Sequence, residues 1–399
     1  MADAPFVPTG APEAPVAKKG RGASLTSIAW AQFRKHPLAR IALVVLGILY
    51  FLAAFADFFA PYSEGYINPN ITFQPPNRVH FWDEGKFVRP FVYGMTQELD
   101  METFETTWTE DTSVRYPLKL LVRREGIRER YVPFPVNLIP EPLRRTLNIR
   151  PWATLHLFGV DEPARFHMWG SDDLGGDVFG KILFGARISL TIGIMAALVA
   201  IVIGMIMGGI AGFFGGWVDE LIMRFIEALS AIPDLFLLIT LSAVFYPLNL
   251  PSSTVFMLVV VALSIIGWGG VARTIRGQVL SLRERDFAYA ARSLGANNTR
   301  IILRHMLPHT LSFVIVYMSL VIPAFIITES VLSFFGLGIQ PPSTSWGLML
   351  ATAQGFAGVS GLGARWWVFL PGVFIFISVL TWNLLGDGLR DAFDPRSRQ

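Results

Sequence analysis

The sequence predicts an all-α integral membrane protein with six transmembrane helices. A short cytoplasmic helix pair follows the fourth, and an extracytoplasmic, β-rich insertion separates the first from the second. Three observations carry this reading. Of 399 residues, 52% are hydrophobic and only 16% charged, against about 25% charged in soluble proteins. Runs free of Asp, Glu, Lys and Arg occupy 41–56, 188–218, 235–272, 310–328 and 366–386, and roughly 20 apolar residues suffice to cross a hydrocarbon core. Finally, Lys and Arg gather on one side of the runs, as the positive-inside rule requires.

The elements follow in chain order. Residues 1–24, rich in Ala, Pro and Gly, bury too little surface to order themselves and read as a disordered cytoplasmic tail. Residues 25–40 place Leu25, Ile28, Trp30 and Phe33 among Arg34, Lys35 and Arg40, which suits an interfacial helix at the lipid headgroups; a solvated linker is the alternative. Residues 41–60 form the first transmembrane helix. Ala54-Phe-Ala56 resembles a signal-peptidase site, but the apolar region begins too far from the start for a secretory signal, so the helix reads as uncleaved.

Residues 61–168 are the insertion domain, polar and rich in Tyr and Trp. Residues 118–132 suggest two extended runs around a Glu125-Gly126 turn, and 153–158 a further strand. His80, His156 and His167 are dispersed and show no metal-ligand spacing, so they read as surface or core histidines.

Residues 169–396 hold transmembrane helices 2–6. The run 235–272 is too long for one crossing, and the prolines and asparagine in 246–252 split it into a helix over 221–245 and another over 254–272. Basic residues stand before the first helix (Lys18, Lys19, Arg21, Arg34, Lys35, Arg40), between the fourth and fifth (Arg273 to Arg304) and after the sixth (Arg390, Arg396, Arg398). Both termini are therefore expected in the cytoplasm and 61–187 outside.

Four charged residues fall within the apolar core: Arg224, Glu227 and Asp234 on the third helix and Glu329 near the end of the fifth. Such charges demand partners. Arg224 and Glu227, three apart, are expected to pair as a structural intramembrane ion pair. Asp234 follows Pro233, which can kink the helix, so a pathway-lining role and a structural one both stand. Gly204, Gly208 and Gly212 have the small-xxx-small spacing that lets helices pack closely.

The composition excludes several chemistries. With no cysteine there is no disulfide framework and no thiolate site, and a net charge of +3 gives no surface for nucleic acid. No phosphate-cradling Gly-rich loop ending in Gly-Lys-Ser/Thr occurs, so no ATP site is expected on this chain. Glu227, Asp234 and Glu329 make no recognisable acid–base or metal set, and catalytic residues are expected to be absent.

The loop 283–308 is the most informative stretch. Residues 283–294 are good helix formers ending before Gly295, a residue suited to a left-handed cap. Asn297 or Asn298 can cap a second short helix that stops near Pro308. A membrane-surface hairpin that merely joins two spans would have the same pattern.

Here the sequence resembles the inner-membrane permease subunits of bacterial ATP-binding-cassette importers, whose cytoplasmic loop carries Glu-Ala-Ala, a Gly and a distal Leu-Pro. Ala290, Ala291, Gly295, Leu307 and Pro308 match that pattern, while Tyr289 replaces the Glu and His305 an Ile. Tyr289-Ala-Ala-Arg-Ser-Leu-Gly295 and Arg304-His-Met-Leu-Pro308 look like the oligopeptide/dipeptide branch. So do Gly170-Ser-Asp-Asp-Leu-Gly-Gly-Asp-Val178, Gly185-Ala-Arg-Ile-Ser-Leu190, Gly336-Leu-Gly-Ile-Gln-Pro-Pro342 with Trp346-Gly347, and Asn383-Leu-Leu-Gly-Asp-Gly-Leu-Arg-Asp391. Gly176 departs from the branch, which commonly has Arg there.

The resemblance implies half of a translocation pathway in the bacterial cytoplasmic (inner) membrane. Its partners would be a sibling permease, two ATP-binding subunits that carry ATP and magnesium, an extracytoplasmic solute-binding protein and membrane lipid. Ala290, Ala291, Gly295, Leu307 and Pro308 would couple the chain to the ATPase. The cargo implied is peptide, with nickel chelates, opines or oligosaccharides as alternatives. The competing class, an ion-coupled secondary transporter, commonly shows internal repeats and midplane ionisable groups; no clear repeat is visible here.

Overall fold

Pro37 sets the first boundary. Helix α1 (Leu25–Phe33) stops before it, and α2 (Pro37–Ala54) begins on it, where the missing N–H has no intrahelical partner to lose. The computed structural model describes residues 25–83, 85–99, 106–123, 155–248, 250–354 and 365–393; the expected tail over 1–24 lies outside them. The expected interfacial helix over 25–40 is thus shorter, because residues 37–40 belong to the first long helix. That helix breaks at Phe55 before a short α3 (Ala56–Phe59).

The described residues of the insertion form five strands: β1 (His80–Asp83), β2 (Lys86–Leu99), β3 (Thr106–Pro117), β4 (Lys119–Arg123) and β5 (Leu155–Gly159). The first three form one antiparallel sheet and the last two another. The first of the two extended runs expected over 118–132 coincides with β4, whose partner is β5. The Glu125-Gly126 turn and the second run fall outside the described residues. Contacts hold the two ends of the insertion together and fix them to the helix that follows. The Tyr62 hydroxyl accepts the Phe166 N–H at 2.9 Å, its ring lies 5.3 Å from that of His167, and the buried His167 ring meets Asp177 at 3.1 Å.

Asp177 also caps α4 (Val178–Phe214), accepting the Gly180 N–H at 2.7 Å. This helix runs 37 residues and ends at Gly215, φ +65°. The chain continues through α5 (Gly216–Ser230), α6 (Asp234–Phe245), α7 (Ser252–Leu282), α8 (Asp286–Ser293), α9 (Asn298–Phe334), α10 (Trp346–Gln354) and α11 (Leu370–Phe393). Among the described residues five helices are long and apolar enough to cross a membrane, and α5 with α6 makes a sixth if that pair counts as one span. The pair is bent by 77° at residues 231–233. Pro233 removes a backbone donor there, so the single third helix expected over 221–245 is broken in two.

The second short helix of the cytoplasmic pair does not stop near Pro308, as expected, but continues into the fifth span. Residues 301–306 form a π-turn, with the Leu307 N–H bonded to Ile302 O, and Pro308 sits in the first turn of the α-helical stretch beyond it. The wide turn absorbs the proline.

Helix α4 is the centre of the bundle and packs on both α7 and α9. A Cβ at Gly204, Gly208 or Gly212 would lie 2.8, 2.4 and 2.7 Å from the backbone oxygens of Trp268, Ala272 and Arg276. The expected glycine stripe therefore lies where α7 approaches, and the absence of side chains is what allows the approach.

Gly208→Val is expected to destabilise the protein by about 1–3 kcal/mol through this overlap. Gly47 has nothing within 4 Å, and Gly47→Val is expected to change stability by less than about 0.5 kcal/mol. Thermal melting of both variants in detergent checks this; equal melting would show that Gly208 does not serve the close approach.

Candidate functional site

The hairpin between α7 and α9 is built by a helix end that only glycine completes. In α8 the Ala296 N–H reaches Ala291 O at 3.1 Å and the Gly295 N–H reaches Arg292 O at 2.9 Å, a Schellman cap with Gly295 at φ +77°. Asn297, rather than Asn298, caps the next helix by accepting the Arg300 N–H at 2.8 Å. A Cβ on Gly295 would meet nothing within 4 Å, so the constraint on Gly295 is its backbone angle and the space in front of it is open.

The inner face of α8 is glued to the spans. Ala288 and Ala291 are buried against Phe213, Val279, Ile301, Met306 and Leu307. The Arg292 guanidinium lies 5.1 Å above the Phe213 ring, and Arg283 donates to Gly212 O at 3.3 Å. The outer face carries Tyr289, Ala290 and Leu294, the last 88% exposed. Tyr289, standing where the resemblance has a Glu, donates its hydroxyl to Glu284 at 2.9 Å. That bond and Arg283 hold the Glu284 carboxyl below its ordinary range, and the same bond raises the Tyr289 hydroxyl.

The sequence-predicted residues thus divide. Ala290, Gly295 and Pro308 are exposed, while Ala291 and Leu307 face the protein interior. The hairpin brings all five onto one structural unit, but only the first three are accessible to another chain.

Arg224 and Glu227 lie one turn apart on α5, the guanidinium donating to the carboxylate at 3.2 Å. Their side chains are 72% and 61% exposed, with Glu220 a further 4.0 Å from the guanidinium. Asp234 is the exposed first residue of α6, at the break in the bent pair. Charges that sequence reasoning missed as pairs hold the bundle instead. Asp219 on α5 makes a two-bond pair with Arg276 on α7, and Asp57 on α3 meets Arg187 on α4 at 2.7 Å. Neither pair is close in sequence, so no spacing signal points to it. Glu329 is fully buried and has serine partners, not a cation.

Behind the bent pair lies a cavity of about 300 Å³, lined by Leu238, Ser242, Phe245, Leu258, Leu332 and Gln340 among others. No charged group lines it. Among the described residues no cluster of three or more His, Asp or Glu could hold a metal ion.

Comparison with known proteins fits this architecture. Residues 200–399 match the family described as binding-protein-dependent transport system inner membrane component, and 24–76 match the N-terminal TM domain of oligopeptide transport permease C. The chain is 43% identical over 238 residues to the dipeptide transport system permease protein DppC of Bacillus subtilis, covering 59% of this chain and 71% of that one. It is 43% identical over 232 residues to the oligopeptide transport system permease protein OppC of Escherichia coli K12, covering 58% and 73%. It is 40% identical over 252 residues to the glutathione transport system permease protein GsiD of Escherichia coli O6:K15:H31, covering 62% and 80%. With half its length matching one family and these relatives covered over more than two thirds of theirs, the chain belongs to the binding-protein-dependent inner-membrane permeases, in the oligopeptide/dipeptide branch of the ATP-binding-cassette importers.

Proposed function

We propose that the chain forms half of the translocation pathway of an ATP-driven peptide importer in the bacterial cytoplasmic membrane. A sibling permease supplies the other half, two ATP-binding subunits supply hydrolysis, and an extracytoplasmic binding protein delivers cargo. The observation that carries this is the cytoplasmic hairpin. Ala288 and Ala291 fix α8 to the ends of α4 and α9, while Ala290 and Gly295 on its other side are left open for a docked motor. Peptide cargo rests on the relatives, named for dipeptide, oligopeptide and glutathione transport.

The insertion, tied to the start of α4 through Asp177, sits where it can cap the outer mouth or meet the binding protein. In the proposed pathway Asp234 lines the route at the break between α5 and α6, where unwound backbone also becomes available. The Arg224–Glu227 pair serves structure.

Reconstitution with the ATPase and binding protein is expected to give peptide uptake that needs ATP. Uptake driven by an imposed ion gradient alone would instead place the chain among secondary transporters.

Orientation is tested on the naturally cysteine-free chain. A cysteine at Glu110 is expected to react with a membrane-impermeant maleimide from outside, and one at Ser293 only once the cytoplasmic face is opened. The reverse pattern would invert the topology.

Gly295→Asp is expected to leave the chain in the membrane but to lower ATPase copurification and ATP-driven uptake at least about tenfold, since charge and bulk enter a packed contact. Ala290→Asp acts alike. Normal values for both would reduce the hairpin to a simple connector.

Removing residues 80–117 is expected to weaken binding-protein docking or uptake. Unchanged values for both would end the proposed role of the insertion.

A further inference from the structure

Two stretches that mark this branch, Gly185 to Leu190 and Gly336 to Gly347, take no part in the cytoplasmic hairpin. They meet at Glu329, whose residue is 0% exposed in α9. Ser189 on α4 donates its hydroxyl to Glu329 Oε2 at 2.9 Å, and Ser333, one turn further along α9, donates to Oε1 at 2.7 Å. Each hydroxyl oxygen in turn accepts a backbone N–H from the loop that follows α9. Ser333 takes that of Ile339 at 3.2 Å, and Ser189 takes that of Trp346, the first residue of α10, at 3.3 Å.

The chemistry of this relay is directional. The two carboxyl oxygens accept from the two serine hydroxyls, so each serine hydrogen is committed to Glu329 and its lone pairs are left for the loop. The two N–H groups it serves lie near the two ends of the loop 336–346. Small residues permit the approach. A Cβ on Gly338 would lie 2.2 Å from Ser333 Oγ, one on Gly347 2.2 Å from Ser330 O, and one on Gly185 3.1 Å from the Trp346 ring. The Trp346 indole N–H is also fixed, to Ile182 O at 3.0 Å. Among the described residues no cation pairs with Glu329, and serine hydroxyls hold its carboxyl group beside the N-terminus of α10.

The loop so held is the wall of something. Leu337, Gly338 and Gln340 of the loop, with Leu332 of α9, line the cavity of about 300 Å³, and the Thr344 N–H donates to Glu64, near the start of the insertion, at 3.1 Å.

We infer that Glu329 is a positioning residue for transport: through Ser189 and Ser333 it pins both ends of the 336–346 loop, so that the loop rides with α4 and α9 as one body at the extracytoplasmic mouth. The inference rests on the importer reading only for the word transport. The loop's attachment is measurable without any cargo.

The test uses the full chain with a single cysteine at Thr344, which is 5% exposed, in membranes, with maleimide labelling rate as readout. Glu329→Gln places an amide NH₂ where one carboxyl oxygen stood, so one serine hydroxyl loses its acceptor there, must turn, and holds its loop N–H less firmly. Labelling is expected to rise about tenfold, with the chain still in the membrane and its ATPase still copurifying, while ATP-driven uptake falls. Ser189→Ala removes only the relay to Trp346 and is expected to raise labelling likewise; it decides the matter if Glu329→Gln does not reach the membrane. Unchanged labelling in the variant that reaches the membrane would overturn the inference. So would a rise accompanied by loss of the ATPase, which marks general unfolding. If the unaltered chain shows no ATP-driven peptide uptake while labelling still rises, the importer reading fails and the positioning role of Glu329 in the loop stands.

Discussion

A hydrocarbon core offers no hydrogen bonds, and every polar group carried into it must be satisfied by the chain itself. Much of this structure follows from that constraint. Backbone polarity is absorbed by long helices, and where helices break, at residues 231–233 and at the π-turn over 301–306, a proline stands nearby. Side-chain polarity is absorbed pairwise between helices. Asp57 meets Arg187, Asp219 meets Arg276, and Glu329 meets two serines. Each of these joins elements distant in sequence, so satisfying a charge and fixing a helix position are one event.

Helix α4 is where these demands converge. Its 37 residues span about 55 Å at the usual helical rise. At one end Asp177 caps it and holds His167 of the insertion, and within the following turns Arg187 and Ser189 reach the first span and the outer loop. At the other end Phe213 lies under Arg292, and Gly212 accepts from Arg283. Between them, the glycine stripe seats α7 against its backbone. A displacement of α8 would be delivered to a rod whose far end is bonded to the 336–346 loop, which is the rigid-body behaviour that packed helices favour.

The hairpin shows how a short motif can serve two surfaces. Positions 288 and 291, three apart on α8, face inward and the two between them outward, so small residues at 288 and 291 permit close packing on the spans while Ala290 leaves room on the opposite side. Gly295 then ends the helix in a conformation that side chains disfavour, and the chain turns to start α9 on the Asn297 cap. Replacing the motif Glu by Tyr289 does not remove a carboxylate from this surface, because Tyr289 holds that of Glu284 beside it.

The sequence by itself determined the membrane class, the long spans and the helix–glycine–helix hairpin. Each depends on local composition or spacing: uncharged runs, a glycine after a helix-forming stretch, glycines four apart. It marked Pro233 as able to kink the third helix, but not that the helix is broken in two there at 77°, an angle no local rule sets. Tertiary structure alone decided the rest. The π-turn that carries the chain through Pro308 without stopping, the separation of Ala290 from Ala291 by face, and the pairing of β4 with β5 all depend on what packs against them. Glu329 is the clearest case. Its position in a span was legible as a charge needing a partner, but Ser189 stands 140 residues away, and serines with ordinary spacing give no sign that they will share a carboxylate until folding brings them together.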